Sequence, residues 1–317
     1  MKFLHLFTAL SAIAPSIRAA PASASESIEE RTGGRPSYGS SRPGHKPLPD
    51  TKYFHEPGAS DELGHYDIRY FTGSTVSYEV RGEILYNLVR SYLTFFREKN
   101  IETWIAHGTL LGWWWNGKIM PWDLDLDTQV SASTLTWLGQ NLNMTFHDYN
   151  STNPDGTEVS RRYLLDVNPN HVDRLRGDGM NVIDARWIDT QSGLFIDITG
   201  LSETNPSMQP GIWSCKNNHR YRTRDIYPLR ETEFEGVPAL VPYSFDTVLT
   251  AEYGSRALTK TEHAGHRWEP EQKVWVKAAA FGTKNQLPPT TQPRAHVPES
   301  LSRDEKSGLG NLLNAVR

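Results

Sequence analysis

The chain has 317 residues, 37% of them hydrophobic, and a formal net charge of −4. That is enough apolar material for one large core, and it excludes an intrinsically disordered or fibrous chain. With no long Lys/Arg block, nucleic acid is excluded as the main partner. A single cysteine, Cys215, excludes an internal disulfide and any Cys-clustered zinc site.

Met1-Lys2, an apolar run from Phe3 to Ala14, and Ser16-Ile17-Arg18-Ala19-Ala20 fit a secretory signal peptide over 1–20. The competing reading is an uncleaved anchor, although the run is short of the ~20 apolar residues that a spanning helix needs. No later stretch is apolar enough to span a bilayer, so the Golgi lumen or the cell exterior is expected. Residues 21–65 are rich in Pro, Gly, Ser and charge and read as a flexible stalk. Residues 66–283 read as one globular domain, and 284–317 as a polar tail in which Leu309 to Val316 can form a short helix.

Within the domain, Val80, Ile84, Leu85, Leu88, Val89, Tyr92, Leu93 and Phe96 recur every three or four residues, predicting an amphipathic helix. Thr103 to Ala106 reads as a strand. It is followed by a glycine turn, Gly108-Thr109-Leu110-Leu111-Gly112, and a short Trp-rich helix. Asp123-Leu124-Asp125-Leu126-Asp127 alternates polar with apolar and predicts a half-buried strand. Asn143-Met144-Thr145 and Asn150-Ser151-Thr152 are glycosylation triplets, expected in a surface loop and placing Asn143 and Asn150 as acceptors. Further strands are expected at Tyr163 to Val167, Asn181 to Ile188 and Leu194 to Thr199. The fold class is therefore α/β (α+β): a mixed sheet flanked by helices.

On a strand, Asp123, Asp125 and Asp127 share one face, with neighbouring Cα atoms about 6.5–7 Å apart. Such carboxylates repel one another unless a hard cation, Mg²⁺ or Mn²⁺, joins them. A fourth, Asp197, sits mid-strand between apolar neighbours and needs a partner, either that cation or an arginine such as Arg186. Asp123 can equally cap a turn. The small residues of the glycine turn, at a strand-to-helix junction, leave backbone N–H groups open to a phosphate. A phosphate cradle beside a metal site is what phosphoryl transfer requires.

Gly108 to Gly112, followed by Pro121-Trp122-Asp123-Leu124-Asp125-Leu126-Asp127, resembles the LicD family of phosphocholine transferases and fukutin-related transferases, with the fungal mannosylphosphorylation-associated branch nearest. Ile183 to Asp189, Gly193 to Ile198, Tyr227 to Arg230, Phe234 to Val237 and Glu252 to Gly254 extend the likeness. The resemblance implies a nucleotidyltransferase fold, Asp125, Asp127 and Asp197 as metal ligands, and Gly108 and Thr109 lining a donor phosphate. Asp123 becomes a further ligand or supports one. It also implies attack by a glycan or glycoprotein hydroxyl on a nucleotide-diphospho donor, a sugar nucleotide or CDP-linked, with Asp197 or Asp123 accepting the proton. Many relatives carry Arg between the two motifs; here the stretch reads Trp113-Trp114-Trp115-Asn116-Gly117-Lys118, leaving Lys118 to replace that charge.

Arg161, Arg162 and Arg186 are candidates to clamp a diphosphate, or else pair with carboxylates such as Asp166 and Asp184. One of the three tryptophans is expected to face a ligand, whereas His107, His263 and His266 read as structural. Two other functions stay open: a catalytically silent accessory protein on the same fold, and a carbohydrate-binding module.

Overall fold

The first helix forms where the apolar spacing predicts it. Helix α1, Tyr78–Glu98, is capped by Ser77, whose side chain accepts from Val80 N, and it buries Ile84, Leu85, Leu88, Val89, Tyr92, Leu93 and Phe96. Val80, placed on the buried stripe from sequence, is 45% exposed in the first turn. The computed structural model describes residues 52–58, 60–174, 181–203 and 205–278, all within residues 50–317. The expected signal peptide, most of the stalk and the C-terminal tail lie outside the described residues.

After α1 come β1 (Trp104–Ile105), α2 (His107–Asn116), β2 (Leu126–Ser131), α3 (Ala132–Asn141), β3 (Thr145–Thr152), β4 (Glu158–Val167), β5 (Ala185–Asp189) and β6 (Phe195–Glu203). These strands form one mixed sheet in the order β1-β2-β6-β5-β4-β3, extended by β7 (Ile212–Ser214) on β6 and by β8 (Arg220–Arg222). Only β2 and β6 run parallel among the described pairs; the rest are antiparallel. A short helix α4 (Thr223–Ile226) leads to the hairpin β9 (Arg230–Phe234) and β10 (Val237–Val241), then α5 (Phe245–Tyr253). Strands β11 (Glu262–His263), β12 (His266–Glu269) and β13 (Val274–Lys277) close the described chain as a separate small sheet.

The core lies between α1 and the sheet. Trp187 of β5 packs against Tyr92, Phe95 and Phe96 of α1, with ring centroids 5.2–6.4 Å apart, and against Tyr163 of β4. The Tyr92 hydroxyl, buried in that core, bonds Thr103 at 2.7 Å and receives the Thr128 hydroxyl at 3.0 Å, fastening α1 to β1 and β2. At Gly112 a Cβ would stand 2.4 Å from the Lys118 carbonyl oxygen, so the chain returning from α2 toward the acidic segment requires glycine there.

Residues 52–65 are the described end of the segment read as stalk, and they lie against the sheet. Phe54 is buried, and the Tyr53 hydroxyl donates to Asp166 at 2.8 Å. Glu56 pairs with Arg186 at 2.8 Å. Proline, glycine and charge hide this packing in the sequence because the contacts reach residues more than 100 positions away.

Candidate active site

Strand register builds the centre of the site. In the parallel β2–β6 pair Asp127 stands opposite Asp197, and in the antiparallel β5–β6 pair Arg186 stands opposite Asp197. Neighbouring strands lie about 4.8 Å apart, so three charged side chains occupy adjacent positions on one face. Asp125, two residues before Asp127, joins them: carboxylate oxygens of Asp125, Asp127 and Asp197 all lie within 4.8 Å of one another. The strand itself begins only at Leu126, so the expectation that Asp123, Asp125 and Asp127 share one strand is corrected. Asp123 and Asp125 sit in the irregular approach to β2, with Asp123 N donating to the Met120 carbonyl at 3.0 Å. Departing from the pleat lets Asp125 turn toward Asp127 instead of standing a full strand repeat away.

The electrostatics are those of crowded acids. Burial first, then the charge of Asp125, push the Asp127 carboxyl well above the ordinary aspartate range. Asp197 is also raised, by burial, although Arg186 beside it acts in the opposite direction. Burial and the Asp125 charge lift Asp123 to about 8, and its Oδ2 is buried without a hydrogen-bond partner among the described residues. Three carboxylate oxygens this close, two of them on groups whose affinity for protons is raised, fit a hard divalent cation, which would offset their mutual repulsion.

Arg186 is the buried cation of the cluster. It is 1% exposed, its Nε donates to Asp197 Oδ1 at 2.8 Å, its Nη2 donates to Glu56 Oε1 at 2.8 Å, and it lies 3.5 Å from the centroid of the Phe195 ring. The pairing of Asp197 with Arg186, one of two partners open from the sequence, is therefore present, and Asp197 is at the same time a member of the acid cluster. Arg186 thus positions Asp197 with two of its nitrogens bonded to carboxylates, while its buried Nη1 has no hydrogen-bond partner among the described residues. His65 Nε2 lies 3.4 Å from Asp125 Oδ2; burial disfavours its charge, but the Asp125 carboxylate outweighs that and raises it.

Helix α2 begins directly behind the acids. His107 opens it at φ +50° after extended Ala106, and Ala106 N donates to the Asp127 carbonyl at 3.1 Å. The small residues thus lie inside the first helical turn, not in a separate glycine turn before it. Gly108 borders Asp123: a Cβ there would sit 3.8 Å from Asp123 Oδ2. Thr109 is 1% exposed and its hydroxyl accepts from Asp127 N at 2.9 Å, so its side chain fixes the start of the acidic strand and does not project toward a ligand. Lys118 lies at a separate cavity, described below, whose wall it shares with Asp123.

The other sequence candidates resolve into structure. Arg161 pairs with Asp189 and Arg162 with Asp148, not with Asp166 or Asp184. Trp113 donates to Thr232 at 2.8 Å and Trp115 to the Ala257 carbonyl at 3.2 Å, while Trp114 stacks edge-on against Trp115; all three are packing residues. His107 bonds Glu252 at 3.0 Å, and His266 bonds the Tyr78 hydroxyl at 3.0 Å. Asn143 and Asn150 are exposed, but Asn150 is on strand β3, not in a loop; the Asn143 Oδ1 accepts from Val167 N at 2.8 Å, leaving its Nδ2 for modification. Glu56 and His65 were missed from sequence, since neither lies in a periodic segment or a motif.

Residues 100–244 match the family described as LicD/FKTN/FKRP, nucleotidyltransferase domain. Mannosyltransferase regulator 4 of Saccharomyces cerevisiae is 36% identical over 168 residues, 50% of this chain and 14% of that protein. Mannosyltransferase regulator 14 of the same yeast is 35% identical over 166 residues, 49% of this chain and 17% of that protein. The chain thus spans less than a fifth of the length of either relative. The acid cluster and its register fall inside the matched region, and the chain is a homologue of these yeast regulators that carries a LicD-family nucleotidyltransferase domain.

Proposed function

We propose that this protein is a metal-dependent phosphotransferase of the secretory pathway, acting in the Golgi lumen or outside the cell. It moves a phospho-sugar, such as mannose phosphate, or a similar phospho-group from a nucleotide-diphospho donor to a glycan hydroxyl. The observation that carries the reading is the convergence of Asp125, Asp127 and Asp197 within 4.8 Å, with one buried guanidinium to offset them.

Asp125, Asp127 and Asp197 are the residues that would hold Mg²⁺ or Mn²⁺. When bound, the metal neutralises charge developing on the donor phosphates and polarises the phosphorus. Arg186 and Glu56 fix the Asp197 rotamer, and Thr109 fixes the backbone at Asp127. Gly108, in the first turn of α2, leaves backbone open to the donor phosphate. The acceptor hydroxyl oxygen forms a bond to the phosphorus bearing the transferred group; the bond from that phosphorus to the bridging oxygen breaks, and a nucleoside monophosphate leaves with the electron pair. The hydroxyl proton passes to a carboxylate at the site, Asp123 or Asp197.

A second reading rests on the relatives' names: as homologues of mannosyltransferase regulators, such domains can serve an accessory role without chemistry of their own. Calorimetric titration of Mn²⁺, with and without a nucleoside diphosphate, separates the two. The transferase reading expects binding that tightens with nucleotide and vanishes in an Asp125→Asn, Asp127→Asn variant, followed by monophosphate release from sugar nucleotide or CDP-linked donors with mannose oligosaccharides present. Folded wild-type protein that binds neither metal nor nucleotide sinks it in favour of the accessory role.

A further inference from the structure

A cavity of about 1020 Å³ has Asp123 in its wall, together with the first half of α1, residues 117–121, the β3–β4 turn at 152–155 and the β9–β10 turn at Glu233, Glu235 and Gly236. Ligand pockets run roughly 300–1,000 Å³, so this one is large enough for more than a single sugar ring. Along α1, Tyr78, Gly82 and Tyr86 follow one another at four-residue intervals and all line it. That spacing stacks them on one helix face, a notch between two aromatic side chains.

Gly82 has no structural cause. Glycine inside a helix costs about 0.5–1 kcal/mol relative to alanine. Yet Gly82 lacks a positive φ, and a Cβ placed on it would meet nothing within 4 Å. Its smallness serves only to keep the notch open. Two buried polar atoms on the wall, Asp123 Oδ2 and Arg90 Nε, have no hydrogen-bond partner among the described residues. An unpaired buried polar atom is costly, and a ligand hydroxyl would satisfy each of them.

The wall carries six carboxylates against three cations. That excess repels a nucleoside diphosphate and suits a neutral, hydroxyl-rich ligand, whose O–H groups donate to carboxylates while its ring faces lie on tyrosine. We propose that this cavity is the acceptor subsite, holding a neutral oligosaccharide so that its reactive hydroxyl reaches the metal cluster past Asp123. The inference rests on the transferase reading for the word acceptor; the saccharide site itself stands without it.

The test uses mannotriose as probe in calorimetric titrations of the full chain. Wild type is expected to bind it, and Gly82→Trp, which fills an open notch on an exposed helical position, to weaken binding at least tenfold while Mn²⁺ and nucleoside diphosphate binding stay unchanged. Tyr86→Ala, which removes one wall without adding bulk, is expected to weaken binding too and covers the case in which the tryptophan disturbs α1. No mannotriose binding by wild type, or wild-type affinity in both variants, overturns the proposal, as does loss of nucleotide binding in Gly82→Trp with mannotriose binding retained. Mannotriose bound by a chain that takes up no metal or nucleotide upholds the saccharide site and removes the transferase reading instead.

Discussion

Three buried charge networks lie on or beside the main sheet and differ in how their acids are paired. Around Asp184, on the segment leading into β5, Lys216 lies 2.9 Å from one carboxylate oxygen and Arg174 3.0 Å from the other. Asp67 and Asp166 likewise share Arg69, at 2.8 and 2.7 Å. At the mouth of β2, by contrast, five acids crowd together: Asp197 pairs with Arg186, Glu56 with Arg186 and Lys52, and Asp125 with His65, whereas Asp123 and Asp127 have no cation at ion-pair distance among the described residues. In the first two networks every acid touches a cation directly, which serves stability. The deficit at β2 is instability held in place by surrounding structure, and a divalent cation would remove it.

Removing Arg186 should therefore have the largest effect. Arg186→Ala leaves Asp197 buried without its cation and Glu56 with Lys52 alone, and breaking a buried pair costs about 3–5 kcal/mol. Urea denaturation in EDTA should show that loss, and Mn²⁺ should restore part of it by binding the deepened negative site. Lys216→Ala should also destabilise, but with no recovery on adding Mn²⁺. Equal recovery in both variants would break the comparison.

A smaller effect tests the balanced pair directly behind the cluster. Burial disfavours the His107 charge, but Glu252 beside it outweighs that and raises the imidazole to about 9. Because the folded value lies above the ordinary 6.5, the stabilisation is fully present below about pH 6.5 and is lost as pH rises through about 9. At 1.36 kcal/mol per unit the loss is about 3 kcal/mol. Denaturation midpoints in EDTA should fall between pH 6.5 and 9.5 in wild type and stay flatter in His107→Gln; a flat wild-type profile would refute the charged pair.

What the sequence disclosed follows from how local the information is. The α1 stripe, the β4, β5 and β6 strands and the acidic residues were legible because period and residue type are local properties. The start of β2 was not: strict alternation from Asp123 mimics a strand, but like charges and the turn at Met120 pull the first two acids off the pleat. Asp197 and Arg186 were recognised as possible partners, whereas their meeting depends on the β5–β6 register, which no single segment carries. Glu56 and His65 were invisible because their roles arise from tertiary contacts of an irregular strap. The resemblance implied that Thr109 lines a donor phosphate, yet the stretch expected as a glycine turn is already helix from His107, and Thr109 is buried with its hydroxyl accepting from Asp127 N.

The subtlest prediction reverses the usual sign of a site mutation. Asp125→Asn with Asp127→Asn takes two like charges out of a buried cluster while keeping the shape of each side chain. In EDTA the double variant should be more stable than wild type by about 1 kcal/mol, the scale of one relieved like-charge contact in a partly screened site. The same substitution at a balanced site, Asp184→Asn, should destabilise, since it strips Lys216 and Arg174 of their anion. Saturating Mn²⁺ should then stabilise wild type and leave the double variant unchanged, so the two denaturation curves approach or cross. If the double variant is less stable than wild type in EDTA, the acids at β2 are structural in the way Asp184 is, and the cluster has no charge deficit for a metal to fill.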